Sequence, residues 1–380
     1  MKNLLPLFLL RNRELKIENY MKTIIKFIAA AFCVGALAPM GMTSCTDMGG
    51  DGIDSVLWQG SQNPENNNFR NPVFEPSLEG GTVVKGASMY VALSATTQWS
   101  TGLTNICPAL TSTNLMTWQR ANDGFTAEGN PTWGEGRVNS LSADYARTLK
   151  VNYWMFYTLE GSNSIGYAFA TSAQGPYTDG GLLMSAADAG VTTVKNPFFI
   201  VVSTNYYLCY TTENGTFIQK LTLKGSNVNT ANATLSGTPT KIANASVDDV
   251  AIFRKSSSEL YLLFTVAGAS GSEIRYARAT TVTGPYLDKS GANVADDSKG
   301  ELLIESGTTM LNPGNPMRVF LNSEQTHAFV AYNATEAGNG QMKSGYARRP
   351  MVVSPVELAE DGWFKTSVKA EKGWATPKFE

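Results

Sequence analysis

Carboxylates are the main candidates for acid–base chemistry in this 380-residue sequence, because it contains a single histidine, His327. One histidine excludes metal sites that need two or more, such as the HExxH zinc site. His327 lies in an apolar, strand-like run, which indicates a structural role. Acidic residues stand out at Glu75-Pro76 and Asp248-Asp249. Taken alone, a Glu-Pro pair is typical of a turn and adjacent aspartates of a solvated surface.

The elements that would position such residues are short strands. Aromatic and β-branched runs recur between Gly/Asn/Ser turns, and no long helical periodicity follows residue 71. Five runs resemble one another, and their last residues are 63, 53, 54 and 68 residues apart: Ser94, Tyr157, Tyr210, Phe264 and Tyr332. A second repeat, 167–177 and 276–286, ends in Gly-Pro-Tyr both times.

Five such units predict an all-β fold, a five-bladed β-propeller, since a four-stranded blade takes about 40–50 residues and loops lengthen it. Closing the ring of blades covers the edges of the sheets. A pair of β-sandwiches is the alternative. In a propeller, we expect a ligand site at the mouth of the central channel, where the inner strands converge.

The N-terminal residues 1–44 are predicted to be a targeting segment. Lys22 and Lys26 precede an apolar run of 16 residues, which is short for a transmembrane helix of about 20. Small residues before Cys45 resemble a bacterial lipoprotein signal, with Cys45 as the lipidated residue. An ordinary secretory signal is the alternative. Met21 is a possible true start, because a complete signal follows it.

These features predict an exported outer-membrane lipoprotein at the cell surface or in the periplasm, attached to the membrane only through its lipid. Residues 45–70 are polar and are predicted to form a tether, and residues 71–380 to form the propeller domain. Charged residues make up 16% of the chain, its net charge is −2, and it has no cluster of Lys or Arg. Nucleic acid is therefore excluded as a partner. We expect a monomer.

The order of several short motifs resembles the family 43 glycoside hydrolases, which act on arabinan and xylan. The resemblance spans about residues 71–364 and rests on five segments: Asn71-Pro-Val-Phe-Glu-Pro-Ser77, Thr111-Ser-Thr-Asn-Leu-Met-Thr-Trp118, the two Gly-Pro-Tyr segments, Asn312-Pro-Gly-Asn315 and Asp361-Gly-Trp363. The family fold is a five-bladed propeller. The resemblance therefore implies the same fold and an oligo- or polysaccharide partner.

The resemblance also implies an inverting mechanism, in which one carboxylate activates water and another protonates the leaving oxygen. The general base of the first blade corresponds to Glu75. The general acid of the fourth blade corresponds to Asp248, with Asp249 as the alternative register. The residue that holds the acid corresponds to Asn196, which supplies no negative charge.

Other candidate substrate-binding residues follow from the same comparison. Asp144 falls near a channel-lining motif, and Arg348 (like Arg349) could bind a sugar or form a salt bridge at the end of a blade. Trp99 and Trp133 lie in Gly/Ser/Thr-rich sequence and could stack on sugars. The family's channel histidine, which lies near a channel metal where the family has one, corresponds to Asn315. No metal and no other cofactor is therefore expected, and a channel calcium ion is the alternative that the resemblance implies.

Two functions fit this sequence. The first is a surface glycosidase acting on arabinose- or xylose-containing polysaccharide. The second is a non-catalytic, glycan-binding propeller lipoprotein with a degenerate active site. The departures from the motif at all three positions favour the binding protein. Acidic residues persist at both the acid and the base positions, so we expect the enzyme, with the binding protein as the alternative.

Overall fold

The computed structural model describes residues 62–63 and 67–379. These residues form strands and turns, with a single 3-10 turn at Val228–Thr230 and no α-helix. No helix in this part of the chain is long and apolar enough to span a membrane. The predicted targeting segment 1–44, Cys45 and most of the predicted tether lie outside the described residues.

The strands follow one another along the chain in successive sheets. Two short strands come first, β1 (Gln62–Asn63) and β2 (Asn68–Asn71). The first blade contains β3 (Thr82–Lys85), β4 (Tyr90–Leu93), an inserted hairpin of β5 (Thr97–Ser100) and β6 (Leu103–Asn105), then β7 (Pro108–Ser112) and β8 (Gln119–Asp123). The second blade contains β9 (Val138–Tyr145), β10 (Tyr153–Leu159), β11 (Ser164–Ala170) and β12 (Thr178–Ser185).

The remaining blades repeat this order. The third contains β13 (Lys195–Val202), β14 (Asn205–Thr212), β15 (Gly215–Lys224) and β16 (Asn232–Ala243). The fourth contains β17 (Val247–Arg254), β18 (Leu260–Gly268), β19 (Gly271–Ala279) and β20 (Glu301–Ser306). The fifth contains β21 (Met310–Leu321), β22 (His327–Glu336) and β23 (Met351–Glu357). Strand β24 (Val368–Ala370) adds to β20 in parallel, and β25 (Gly373–Ala375) pairs with β2.

The predicted five-bladed propeller is confirmed by the packing between blades. Five buried apolar clusters fill the interfaces, one between each pair of neighbouring blades, including the fifth and the first. The five recurring aromatic runs form or span the second strand of each blade, β4, β10, β14, β18 and β22. Every residue of β10 is buried, because a strand in the middle of a blade is covered by neighbouring blades on both faces.

The ring closes where the N-terminal segment meets the fifth blade. Val73 donates its backbone N–H to the Met351 carbonyl at 2.9 Å, and Met351 donates to the Phe74 carbonyl at 3.0 Å. The Asn71 side chain bonds both backbone groups of Val353, at 2.7 and 3.0 Å. Residues 68–70, which were predicted to end the tether, lie in β2, where Phe69 is fully buried. Both ends of the described chain therefore stabilise the closed ring.

Candidate functional site

A narrow cavity lies on the propeller axis, where the first strands of the blades begin. Each blade contributes one segment to its lining: Gly80–Thr82, Ser140–Ser142, Asn196–Phe198, Asp249–Val250 and Asn315–Met317. Its volume is about 20 Å³. A water molecule needs about 10–15 Å³ measured in this way, so the cavity has room for water and none for a sugar ring. We call it the axial cavity.

β-Bulges shape the strands that line the axial cavity. In β17, Asp248 and Asp249 together stand opposite Thr265, and in β13, Asn196 and Pro197 together stand opposite Tyr210. Strand β21 has a similar irregularity at Asn312-Pro313. A bulge redirects side chains, and bulges are frequent beside functional sites. The repeated Asn-Pro pairs are the sequence signal for these positions, because proline within a strand marks an edge or a bulge.

Three asparagines at these bulges adopt the left-handed backbone conformation. The φ angles of Asn196, Asn312 and Asn315 are 52°, 53° and 49°. Apart from glycine, asparagine is among the residues that tolerate this region best. The third and fifth blades therefore carry strained backbone beside the axial cavity, and such strain tends to cluster at binding and catalytic sites.

The first blade presents only backbone and a threonine to the axial cavity. A Cβ atom on Gly80, where φ is +60°, would lie 2.4 Å from the Asn139 carbonyl oxygen. On Gly81 it would lie 2.2 Å from the Leu93 carbonyl oxygen. Both contacts are too short for any side chain, so no carboxylate can stand at these two positions of the ring. Sequence reasoning missed this Gly-Gly pair, although adjacent glycines are a signal of close backbone approach.

We expect Gly80→Ala to lower the free energy of unfolding by about 2 kcal/mol, because it combines a left-handed backbone with the contact to Asn139. Gly102→Ala is the matched control: Gly102 has φ +81°, but a Cβ there would meet nothing within 4 Å. The control should cost about 1 kcal/mol. Urea denaturation of both variants measures the difference, and equal losses would contradict a steric cause at Gly80.

Asp249 is the carboxylate that reaches the axial cavity. Its pKa is raised to about 7, first by burial and then by the like charge of Asp248, whereas Arg349, Lys195 and the backbone N–H of Asn315 act in the opposite direction. Asp249, which the sequence comparison gave as the alternative to Asp248, is thus the aspartate that faces the axis. At neutral pH this side chain is poised between its protonated and its charged form.

Asp248 does not line the axial cavity. Its Oδ1 forms an ion pair with Lys195 and accepts a hydrogen bond from Asn196 Nδ2 at 3.2 Å. Asn196 Nδ2 also lies 3.2 Å from the Asp248 carbonyl oxygen. The Asp248 side chain is about half exposed, at 52%. The structure therefore brings Asn196 and Asp248 together, as the sequence comparison predicts, but in an exposed position paired with a lysine that sequence reasoning missed.

Asp248 and Lys195 line a larger opening between the third and fourth blades, which we call the blade 3–4 groove. Its volume is about 310 Å³, and most of its lining residues are polar: Thr193, Lys195, Thr211, Thr212, Glu213, Ala245, Ser246, Val247 and Asp248. Binding sites for small molecules typically measure about 300–1,000 Å³. The groove therefore has room for a sugar ring, unlike the axial cavity.

Glu75 does not line the axial cavity, so its prediction as the general base is not supported by its position. Its carboxylate is 3.1 Å from Arg348 and 3.8 Å from Lys372, and both cations also contact Glu336. Only 12% of the Glu75 side chain is exposed. These four charges hold the N-terminal segment, the fifth blade and the C-terminal segment together. Arg348 thus forms the salt bridge that was the alternative to sugar binding.

Asp144 lies on β9 and its carboxylate is held by Arg318 of the fifth blade. Arg318 Nη1 is 3.1 Å from Asp144 Oδ2, and its other nitrogens donate to the carbonyl oxygens of Val83 and Ala143 at 3.0 and 2.9 Å. The guanidinium also lies 5.7 Å from the ring centre of Phe198. One arginine therefore contacts the first three blades, and Asp144 is its counter-ion.

The two tryptophans predicted as sugar platforms occupy different environments. Trp99 is 1% exposed and donates its indole N–H to the Ser77 carbonyl, so its prediction as a platform is wrong. Trp133 is partly exposed, and its indole N–H donates to the Tyr157 hydroxyl at 2.7 Å. Trp133 therefore remains a candidate for stacking on a sugar.

Asn315 also lines the axial cavity, and its side chain is engaged by its neighbours. Its Nδ2 donates to the Asn333 Oδ1 at 2.9 Å and to the Gly81 carbonyl at 3.3 Å. Over residues 62–63 and 67–379, no group of three His, Cys, Asp or Glu residues could hold a metal ion. Calcium prefers six to eight oxygen ligands, often including several carboxylates. The residues present at the axis do not fit a channel calcium ion.

Comparison with known proteins agrees with this fold. The model of a family described as glycosyl hydrolases family 43 matches residues 69–364. An α-L-arabinanase of Cellvibrio cellulosa, solved with arabinohexaose, has a TM-score of 0.59 at 16% identity, covering 77% of this chain and 99% of its own. The native arabinanase of Bacillus subtilis has a TM-score of 0.55 at 20% identity, covering 76% of this chain and 97% of its own. A family 43 protein of a Bacteroides ovatus xyloglucan locus has a TM-score of 0.60 at 14% identity, covering 82% of this chain and 59% of its own.

No protein of curated function matches the sequence significantly. These three structures are at most 20% identical in sequence to this chain, so their similarity concerns the fold alone. The family model, however, matches well over half of the sequence and covers all five blades. The protein therefore belongs to family 43 of the glycosyl hydrolases.

Proposed function

We propose that this protein binds arabinose- or xylose-containing polysaccharide on the face of the propeller where the inner strands begin, and that it does so without hydrolysing it. Membership of family 43 supports a glycan as the ligand. The likeness in fold to an arabinanase solved in complex with arabinohexaose supports the same class of ligand.

The observation that carries this proposal is that the described residues lining the two openings of this face offer no pair of unengaged carboxyl groups. Asp249 is the sole acidic residue of the axial cavity. In the blade 3–4 groove, Asp248 is paired with Lys195, and Glu213 accepts two backbone N–H groups. Inverting hydrolysis requires two carboxyl groups about 6.5–9.5 Å apart, on opposite sides of the bond. The first blade cannot supply the second one at Gly80 or Gly81, and Asn196 supplies no charge in the third. Glu75 and Asp248 are both engaged in ion pairs outside this ring.

The test compares binding and turnover on the same polymers. Wild-type protein is expected to be retarded in native gels containing arabinan or xylan, and to release no reducing sugar from either polymer above a heat-inactivated control. A synthetic aryl arabinofuranoside and an aryl xyloside should also remain uncleaved. Release of sugar from any of these compounds would contradict the absence of hydrolysis, and unretarded migration in both polymers would contradict the binding.

Hydrolysis is the second candidate, and one observation favours it. The pKa of Asp249 is raised to about 7 by burial, which would let this group donate a proton at neutral pH, as a general acid must. If the wild type does release sugar, Asp249→Asn should abolish the release, whereas Glu75→Gln should leave it unchanged. Loss of sugar release in Glu75→Gln, with release retained in Asp249→Asn, would show that Glu75 and not Asp249 takes part in the hydrolysis.

A further inference from the structure

We propose that the blade 3–4 groove is the sugar subsite, and that the Lys195–Asp248 pair recognises two neighbouring hydroxyl groups of a neutral sugar residue there. This inference rests on the proposed glycan binding and adds the place, the contacts and the charge of the ligand. The pair lies on the first strands of two blades, β13 and β17, so it bridges the mouth of the groove.

The pair retains the hydrogen-bonding capacity that a sugar needs. Lys195 carries three N–H donors and uses one on Asp248 Oδ1. Among the described residues, Asp248 Oδ2 accepts no hydrogen bond, because Lys195 and Asn196 both donate to Oδ1. A free acceptor and free donors therefore lie side by side. Two adjacent hydroxyls match this arrangement, since one can donate to the carboxylate while its neighbour accepts from the ammonium.

The other polar groups of the groove are largely committed to the protein itself. Glu213 accepts the backbone N–H groups of Thr192 and Thr193 at 2.9 and 3.1 Å, which fixes the segment that leads into β13. Thr211 donates its hydroxyl to the Asp248 carbonyl at 2.8 Å. These contacts hold the strands that carry the pair, so Lys195 and Asp248 are the charged residues of the lining with hydrogen-bonding capacity left for a ligand.

The charge of the groove indicates a neutral ligand. Its lining contains two carboxylates, Glu213 and Asp248, and one cation, Lys195. A uronic acid would bring a third negative charge next to Asp248, and like charges in close proximity oppose binding. An unsubstituted pentose or other neutral residue meets no such repulsion. The groove, at about 310 Å³, has the room for it that the axial cavity lacks.

The experiment measures Kd by calorimetry with arabinotriose and xylotriose as neutral probes, and with a xylotriose carrying glucuronic acid as the charged one. The neutral probe that binds wild type more tightly should bind Lys195→Met and Asp248→Asn at least about tenfold more weakly, because each variant loses a charged hydrogen bond. Ala245→Trp, which fills the groove and leaves its charges unchanged, should weaken binding by a similar factor. Lys224→Met, an exposed lysine of the same blade outside the groove, is the matched control and should bind as wild type.

Each outcome bears on a separate claim. If wild type binds a trisaccharide and Lys195→Met, Asp248→Asn and Ala245→Trp bind it equally well, the groove is not the subsite, although the proposed glycan binding stands. Tighter binding of the glucuronic acid derivative than of xylotriose would overturn the assignment of a neutral ligand. Failure of wild type to bind either trisaccharide or the polymers would overturn both proposals. The melting temperature of each variant confirms that it is folded.

Discussion

Replacing Arg318 with methionine is expected to lower the free energy of unfolding by about 3 kcal/mol, because the change leaves the carboxylate of Asp144 without its counter-ion near the axis. Only 15% of the Arg318 side chain and 20% of the Asp144 side chain are exposed, so water compensates little for the lost partner. The variant also removes hydrogen bonds to the Val83 and Ala143 carbonyl groups. Methionine keeps most of the apolar volume, so the loss reports on the charge and its contacts.

Urea denaturation of the wild type and of Arg318→Met measures this effect. Lys365→Met is the control, because it breaks an ion pair with Glu357 in which both side chains are about half exposed, at 49% and 47%. Exposed pairs contribute little to stability, so the control should stay close to wild type. In the double variant Arg318→Met/Asp144→Asn, part of the lost stability should return, because no charge is left unpaired. A loss at Arg318 no larger than at Lys365 would show that the arginine does not join the blades.

The fold could be predicted from the sequence because its signals are local and repeated. The second strand of each blade is covered on both faces, so it must be an apolar, aromatic run, and five such runs are visible without a structure. The Gly-Pro-Tyr segments repeat for a similar reason: Tyr177 and Tyr286 are both buried and donate to the carbonyl groups of Ala173 and Val282 at 2.9 Å. Ring closure through Asn71 and Val353 joins residues far apart in the chain and leaves no local pattern.

The candidate site was predicted less completely, since it depends on which residue of a short segment reaches the axis. Glu75 and Gly80 are five positions apart in one irregular segment that turns at residues 79–80, and only the start of β3 decides which of them meets the other blades. In β17 the bulge interrupts the regular alternation of side chains, so that Asp249 lines the axial cavity and Asp248 the blade 3–4 groove. Trp99 lies among polar neighbours in sequence, yet its indole packs against Phe74 and is buried in the first blade.

Replacing Asp249 with asparagine is expected to stabilise the protein increasingly as the pH rises. The pKa of this carboxyl is raised to about 7 in the folded protein, mainly by burial, against about 3.9 in the unfolded chain. Below about pH 4 the group is protonated in both states and contributes no penalty. Between about pH 4 and 7 the unfolded chain releases the proton that the folded protein retains, so the wild type loses stability. The difference is largest above pH 7, where both states are charged, and is on the order of a few kcal/mol.

Asparagine has nearly the same shape as aspartate and never ionises, so Asp249→Asn should escape this penalty. The groups that face Asp249 oppose each other, since Asp248 repels a negative charge whereas Arg349 and Lys195 attract it. If the attraction outweighed burial, the carboxylate would be favoured in the folded state, and the variant would lose stability as the pH rises. Urea denaturation at pH 4.5, 6 and 8 distinguishes the two cases. The stability of Asp249→Asn relative to the wild type, plotted against pH, has a positive slope if burial dominates and a negative slope if the attraction dominates. Asp297→Asn, at an exposed aspartate, controls for pH effects common to the whole protein and should show no such slope.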